Sequence, residues 1–66
     1  MKRLQWYMMR SNGERVPVNR EAVILNLGGS AAARLDVAMA ESVQRSNPTA
    51  ARPIVCRGVR YEVVHA

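Results

Sequence analysis

The chain has one cysteine, one histidine and one tryptophan among 66 residues, and these scarcities exclude whole classes of protein. Cys56 has no partner for a disulfide within the chain, so the covalent framework of many small secreted domains is ruled out. A zinc site needs more than Cys56 and His65, the only two good soft or borderline ligands. No unbroken apolar run is longer than that of "AVIL", residues 22–25, which is far too short to span a bilayer. The start, "MKRLQWYMMR", is basic, but Gln5 and Arg10 break its apolar stretch, so no signal peptide is expected. There are no internal repeats, no low-complexity tracts, no GxxxxGK[ST] and no GxGxxG. The expectation is a soluble cytoplasmic protein with no membrane partner, metal or cofactor.

Catalytic groups are equally sparse. The five carboxylates are scattered, and Asp36 and Glu41 have arginine neighbours at helical spacing. His65 is next to last and expected to fray. Cys56 alternates onto an apolar strand face with Ile54, Val59 and Tyr61, the setting of an inert core thiol. No nucleophile, base and orienting group can be assembled, so an enzyme is not expected.

What remains is small and basic. A chain of this length is one domain, residues 1–66, and buries only about 60% of the surface its unfolded form exposes. Without disulfides or metal, such a chain relies on idealised packing or on a partner subunit, so a homodimer is expected. Ten Lys and Arg face five Asp and Glu, a formal charge of +5, which suits a polyanion, with nucleic acid the commonest. Residues 1–20 carry +4, residues 30–47 sum to zero and residues 48–66 carry +2. The excess belongs to the two ends.

Asn12-Gly13 between apolar runs is a strong hairpin cue, placing a strand pair over Leu4 to Val18. With those two residues as the loop, Ser11 pairs with Glu14 and Arg10 stands opposite Arg15. Like charges facing across a ladder repel unless they spread into water or share an anion. In that register Tyr7, Met9, Val16 and Val18 lie on one face, and Leu4, Trp6, Met8 and Pro17 on the other. "EAVILNL", residues 21–27, has the β-branched content of a short buried strand, although Asn19 as a cap and Gly28 as a terminator would suit a two-turn helix. The strand is the preferred reading.

Gly28-Gly29-Ser30 reads as a tight turn with a serine cap, ahead of a phosphate-binding role for its free N–H groups. Along "AAARLDVAMAESVQRS", Ala31, Leu35, Ala38, Met39 and Val43 make an apolar stripe at helical spacing, and Glu41–Arg45 is a favourable pair. Pro48 ends the helix. "IVCRGVRYEVV" reads as a second hairpin with Arg57-Gly58 in its loop, Ile54 opposite Tyr61 and Cys56 opposite Val59. The other face takes Val55, Arg60, Glu62 and Val64. The fold expected is α+β, one amphipathic helix at about 30–46 packed on antiparallel strands in the order ββ(β)αββ.

The helical stretch resembles the helix-turn-helix segment of small phage and plasmid regulators, whose pattern runs roughly Ala-Ala-x-Leu-Gly-Val-Ser and then an apolar position. Ala32, Ala33, Leu35 and Val37 match. Asp36 stands where the turn glycine belongs, and Val43 comes one residue late. The resemblance implies a recognition helix at residues 39–46, with Gln44 and Arg45 approaching base edges, and a following strand or wing in "RGVRYEVV". A single continuous helix satisfies the same residues and is adopted.

The leading functional expectation is a regulatory nucleic-acid-binding protein, phage- or plasmid-like, with DNA favoured over RNA. Lys2, Arg3, Arg10, Arg15 and Arg20 would contact phosphates near the first hairpin, and Arg57 and Arg60 near the second. Trp6 and Met8, if exposed, would stack on bases or form an interface. If buried, Trp6 is simply core, the commoner fate of a lone tryptophan. The alternative is an inhibitor or adaptor docking on an acidic protein through Trp6, Met8 and the surrounding arginines.

Overall fold

The first turn is a three-residue loop, and that one extra residue decides which side chains share each face of the sheet. In the computed structural model, which describes residues 3–50 and 52–65, strands β1 (Leu4–Met9) and β2 (Arg15–Val18) join through Ser11-Asn12-Gly13. The Arg10 N–H donates to the Glu14 carbonyl at 2.8 Å, the Gly13 N–H donates to the Arg10 carbonyl at 2.9 Å, and Gly13 takes φ +85°. Asn12 Oδ1 accepts the Glu14 N–H at 2.9 Å. A type I turn followed by a left-handed glycine is the common three-residue hairpin. Met9 therefore faces Arg15 and Met8 faces Val16, and Arg10 does not oppose Arg15. The slip also turns β2 over: Val16 and Val18 lie on the side of Trp6, while Arg15 and Pro17 lie on the side of Tyr7.

The second hairpin has the expected register. Strands β3 (Ile54–Cys56) and β4 (Val59–His65) pair with Ile54 opposite Tyr61 and Cys56 opposite Val59. Arg57 and Gly58 both have positive φ, 52° and 79°, as a two-residue type I′ loop requires. β4 then pairs antiparallel with β1, closing a four-stranded sheet in the order β2-β1-β4-β3. His65 lies opposite Leu4 within the ladder and is half-buried, so it is held in the strand.

Between the hairpins run two helices, where one helix and a third strand were expected. Residues 20–26 form α1 (Arg20–Asn26), because Asn19 Oδ1 accepts the Ala22 N–H at 2.9 Å and Gly28 and Gly29 supply positive φ at the other end. The β-branched run pointed to a strand, but the cap and the burial of the adjacent Val23 and Ile24 override that preference. α2 (Ala31–Ser46) starts at Ser30, whose Oγ accepts the Ala33 N–H at 3.1 Å, and stops before Pro48. It is one helix of 16 residues, with no turn at Asp36.

Its buried side differs from the expected stripe. Ala33, Val37, Ala40, Glu41 and Gln44 face inward, while Leu35 is 60% exposed and Met39 39%. Small residues inside bring the helix close to the sheet. Glu41 then meets Trp6, whose Nε1–H donates to its carboxylate at 3.1 Å, and Arg20, whose Nε–H reaches both carboxylate oxygens at 3.0 Å. Glu41 pairs with Arg20, not with Arg45. Both helices cover the same sheet face, and the core between them holds Trp6, Val23, Ile24, Val37, Tyr61 and Val63.

Candidate functional site

Among the described residues, no element covers the opposite face of the sheet. Alternation along the paired strands places Gln5, Tyr7 and Met9 of β1 there, with Arg15 and Pro17 of β2, Arg60, Glu62 and Val64 of β4, and Val55 of β3. Met9 is the cross-strand partner of both Arg15 and Arg60, so the two arginines flank one methionine in a row across the sheet. In the next row Tyr7 lies between Pro17 and Glu62.

Charge and aromatic surface are coupled here. The Arg15 guanidinium carbon lies 4.7 Å from the centroid of the Tyr7 ring, a cation–π contact worth about 0.5–1 kcal/mol when solvent-exposed. Its Nη2 is 3.7 Å from Glu62, and Arg60 Nε is 3.1 Å from the other oxygen of the same carboxylate. One acid thus bridges two arginines, each about half exposed. Ion pairs this open are weak, so an incoming anion competes with Glu62 at little cost.

The two hairpin turns lie at one end of this sheet, since Met9 pairs with Arg60 immediately before one loop and after the other. A shallow groove of about 390 Å³ there is lined by Met8, Met9, Arg10, Ser11, Gly58 and Val59. Arg10 and Arg57 are exposed beside it and form no ion pair among the described residues. Arg57 is the one non-glycine residue with positive φ among those described, so a long cationic side chain occupies a backbone conformation that favours Gly or Asn.

Of the basic residues expected to act together, the fold gathers Arg10, Arg15, Arg57 and Arg60. Arg3 is exposed ahead of β1, at the end of the sheet away from the turns. Arg20 belongs to the helical layer and is engaged with Glu41. Lys2 lies outside the described residues. Trp6 is 2% exposed and cannot stack on a base or anchor a partner, because the helices cover its face of the sheet; Met8 is half-buried against the same core. The aromatic ring on the open face is that of Tyr7. The one-residue difference in the first loop concealed it, since only the observed register puts Arg15 on the face of Tyr7.

The wider charge distribution follows the layers. Over residues 20–46, Arg20, Arg34 and Arg45 balance Glu21, Asp36 and Glu41, and Arg34 Nη1 pairs with Glu21 at 3.1 Å. The entire formal charge of +5 therefore resides in the strands, their turns and the segments flanking them. Among the described residues no three His, Cys, Asp or Glu side chains gather as metal ligands, and no helix is long and apolar enough to cross a membrane. Comparison with protein-family models, with curated proteins and with solved structures gave no match.

Proposed function

We propose that this is a small nucleic-acid-binding protein with a regulatory role, which takes the phosphate backbone, of DNA before RNA, on the open face and turn end of its sheet. The observation that carries the reading is the segregation of charge: a neutral helical layer backs the sheet, and the net positive charge lies in the sequence outside residues 20–46. Arg10 and Arg57 at the turns and Arg15 and Arg60 on the strands supply the phosphate contacts. Tyr7 offers an aromatic surface beside them, of the kind on which an unpaired base stacks. Docking on an acidic protein would draw on the same arginines, but the anchor assigned to it, Trp6, is core.

The test compares two charge-matched pairs. Arg10→Gln/Arg57→Gln removes two cations from the turn end, and Arg34→Gln/Arg45→Gln removes two from the helical layer. Binding of each to labelled single-stranded and duplex DNA is followed across a salt series. The wild type should bind with a steep salt dependence, and the turn-end pair should flatten the slope of log K against log salt by about two. The helical pair should leave the slope unchanged. Absence of binding at low salt, or equal losses in both pairs, removes this reading.

A further inference from the structure

The helical layer presents its own unpartnered surface, and α2 spends its largest apolar side chains on it. Leu35 is 60% exposed, Met39 39% and Leu25, near the end of α1, 65%. Ala31, Ala32, Ala38 and Ser42 share the outward side of α2 and are also exposed. At 100° per residue these positions form one uncharged stripe, with Arg34 and Arg45 along one flank and Asp36 along the other. A small soluble domain ordinarily turns such side chains inward, and this helix buries Glu41 and Gln44 instead.

We infer that a second copy of the same chain covers this stripe, α2 against α2, in a two-fold symmetric dimer with the two basic sheets facing outward. Charge selects that occupant. The helical layer sums to zero, so two copies meet there without repulsion. Their charged sheets stay apart by more than the Debye length of about 8–10 Å, because each slab measures 30 × 30 × 17 Å over its Cα atoms. An anionic bilayer would attract the sheet layer, which points the opposite way, and an acidic protein would find no net charge on the helical layer.

Size is consistent with a modest interface. A helix of this length runs about 24 Å, and pairing two of them buries on the order of 1,000 Å² in total, near the lower bound for a specific contact. Both helices and their symmetry mates would form a four-helix layer between two sheets, an isologous arrangement. This inference does not depend on what the sheet binds.

Sedimentation equilibrium in ~0.5 M salt, where surface repulsion is screened, and without nucleic acid decides the matter. The wild type should pass from monomer to dimer between roughly 5 and 200 μM, the affinity range of a small interface. Leu35→Arg should raise the dissociation constant by about 100-fold or more, since the change falls twice in a symmetric centre, while circular dichroism remains that of the wild type. If Leu35→Arg loses its helical signal, Ser42→Arg on the same stripe takes its place. Tyr7→Ala, on the opposite face, should leave the mass unchanged. A wild type that stays monomeric throughout overturns the inference, as does a dimer that survives the stripe variants or one that Tyr7→Ala dissociates. Monomer that co-sediments with neutral phosphatidylcholine vesicles, and no longer does so as Leu35→Arg, overturns it in favour of a lipid surface.

Discussion

The two layers of this molecule solve opposite problems. The helical layer takes charge inside: Glu41 is buried, with Trp6 donating to it and Arg20 covering it, while Leu35 and Met39 look outward. The sheet layer keeps apolar side chains inside and leaves its arginines out around Tyr7 and Glu62. The difference teaches that the position of a residue in such a chain is decided by which long-range partner it meets. Hydrophobicity alone would have put Leu35 in and Glu41 out.

The contrast can be broken most forcefully at Trp6, where the layers join. Trp6→Ala should cost about 3–5 kcal/mol, comparable with the whole stability of a domain this size, about 3–10 kcal/mol. Urea titration followed by circular dichroism should find the variant largely unfolded; a cooperative transition near that of the wild type would mean that Trp6 does not join the layers. Next comes Glu41→Gln, which keeps an acceptor for the Trp6 N–H but removes the charge facing Arg20. A loss of about 1–3 kcal/mol is expected, read as a lower urea midpoint with unchanged slope. No change would show that solvent already screens the pair.

On the sheet side, Arg15→Gln/Arg60→Gln should leave stability within about 0.5 kcal/mol, because exposed pairs contribute little, while flattening the salt dependence of nucleic-acid binding. A large loss of stability there would make these arginines structural and erase the contrast. The smallest effect sharpens it. Arg57→Gly relieves a left-handed backbone strain and should raise stability by less than about 1 kcal/mol, while weakening binding. A variant both more stable and a tighter binder would remove Arg57 from the phosphate surface.

How much of this was legible in the residues varies by element. The second hairpin was, because Arg57-Gly58 between alternating strands admits one comfortable register. The first was ambiguous, since Asn12-Gly13 fits either both places of a two-residue loop or the last two of a three-residue loop. The choice rests on Asn12 Oδ1 accepting the Glu14 N–H, a local detail that spacing does not encode. α1 was not legible from its composition, because a run of Val, Ile and Leu looks the same in a short helix and a buried strand; its caps carry the better information. The bounds of α2 were legible from Ser30 and Pro48, but its inward face was not, because that depends on Glu41 meeting Trp6 across 35 positions of sequence. Arg10, Arg15, Arg57 and Arg60 were visible as candidates from charge alone, and Tyr7 was not.

Pro17 adds something of a different kind. It lies in β2, an edge strand, and the alternation set by the Arg10–Glu14 bond points its nitrogen away from β1, off the free side of the sheet. A further strand arriving there would find no N–H to accept from at that position, and at the other edge β3 spans only three residues. Neither margin offers a template for end-to-end growth. Copies of the chain would thus be discouraged from zipping edge to edge into fibrils.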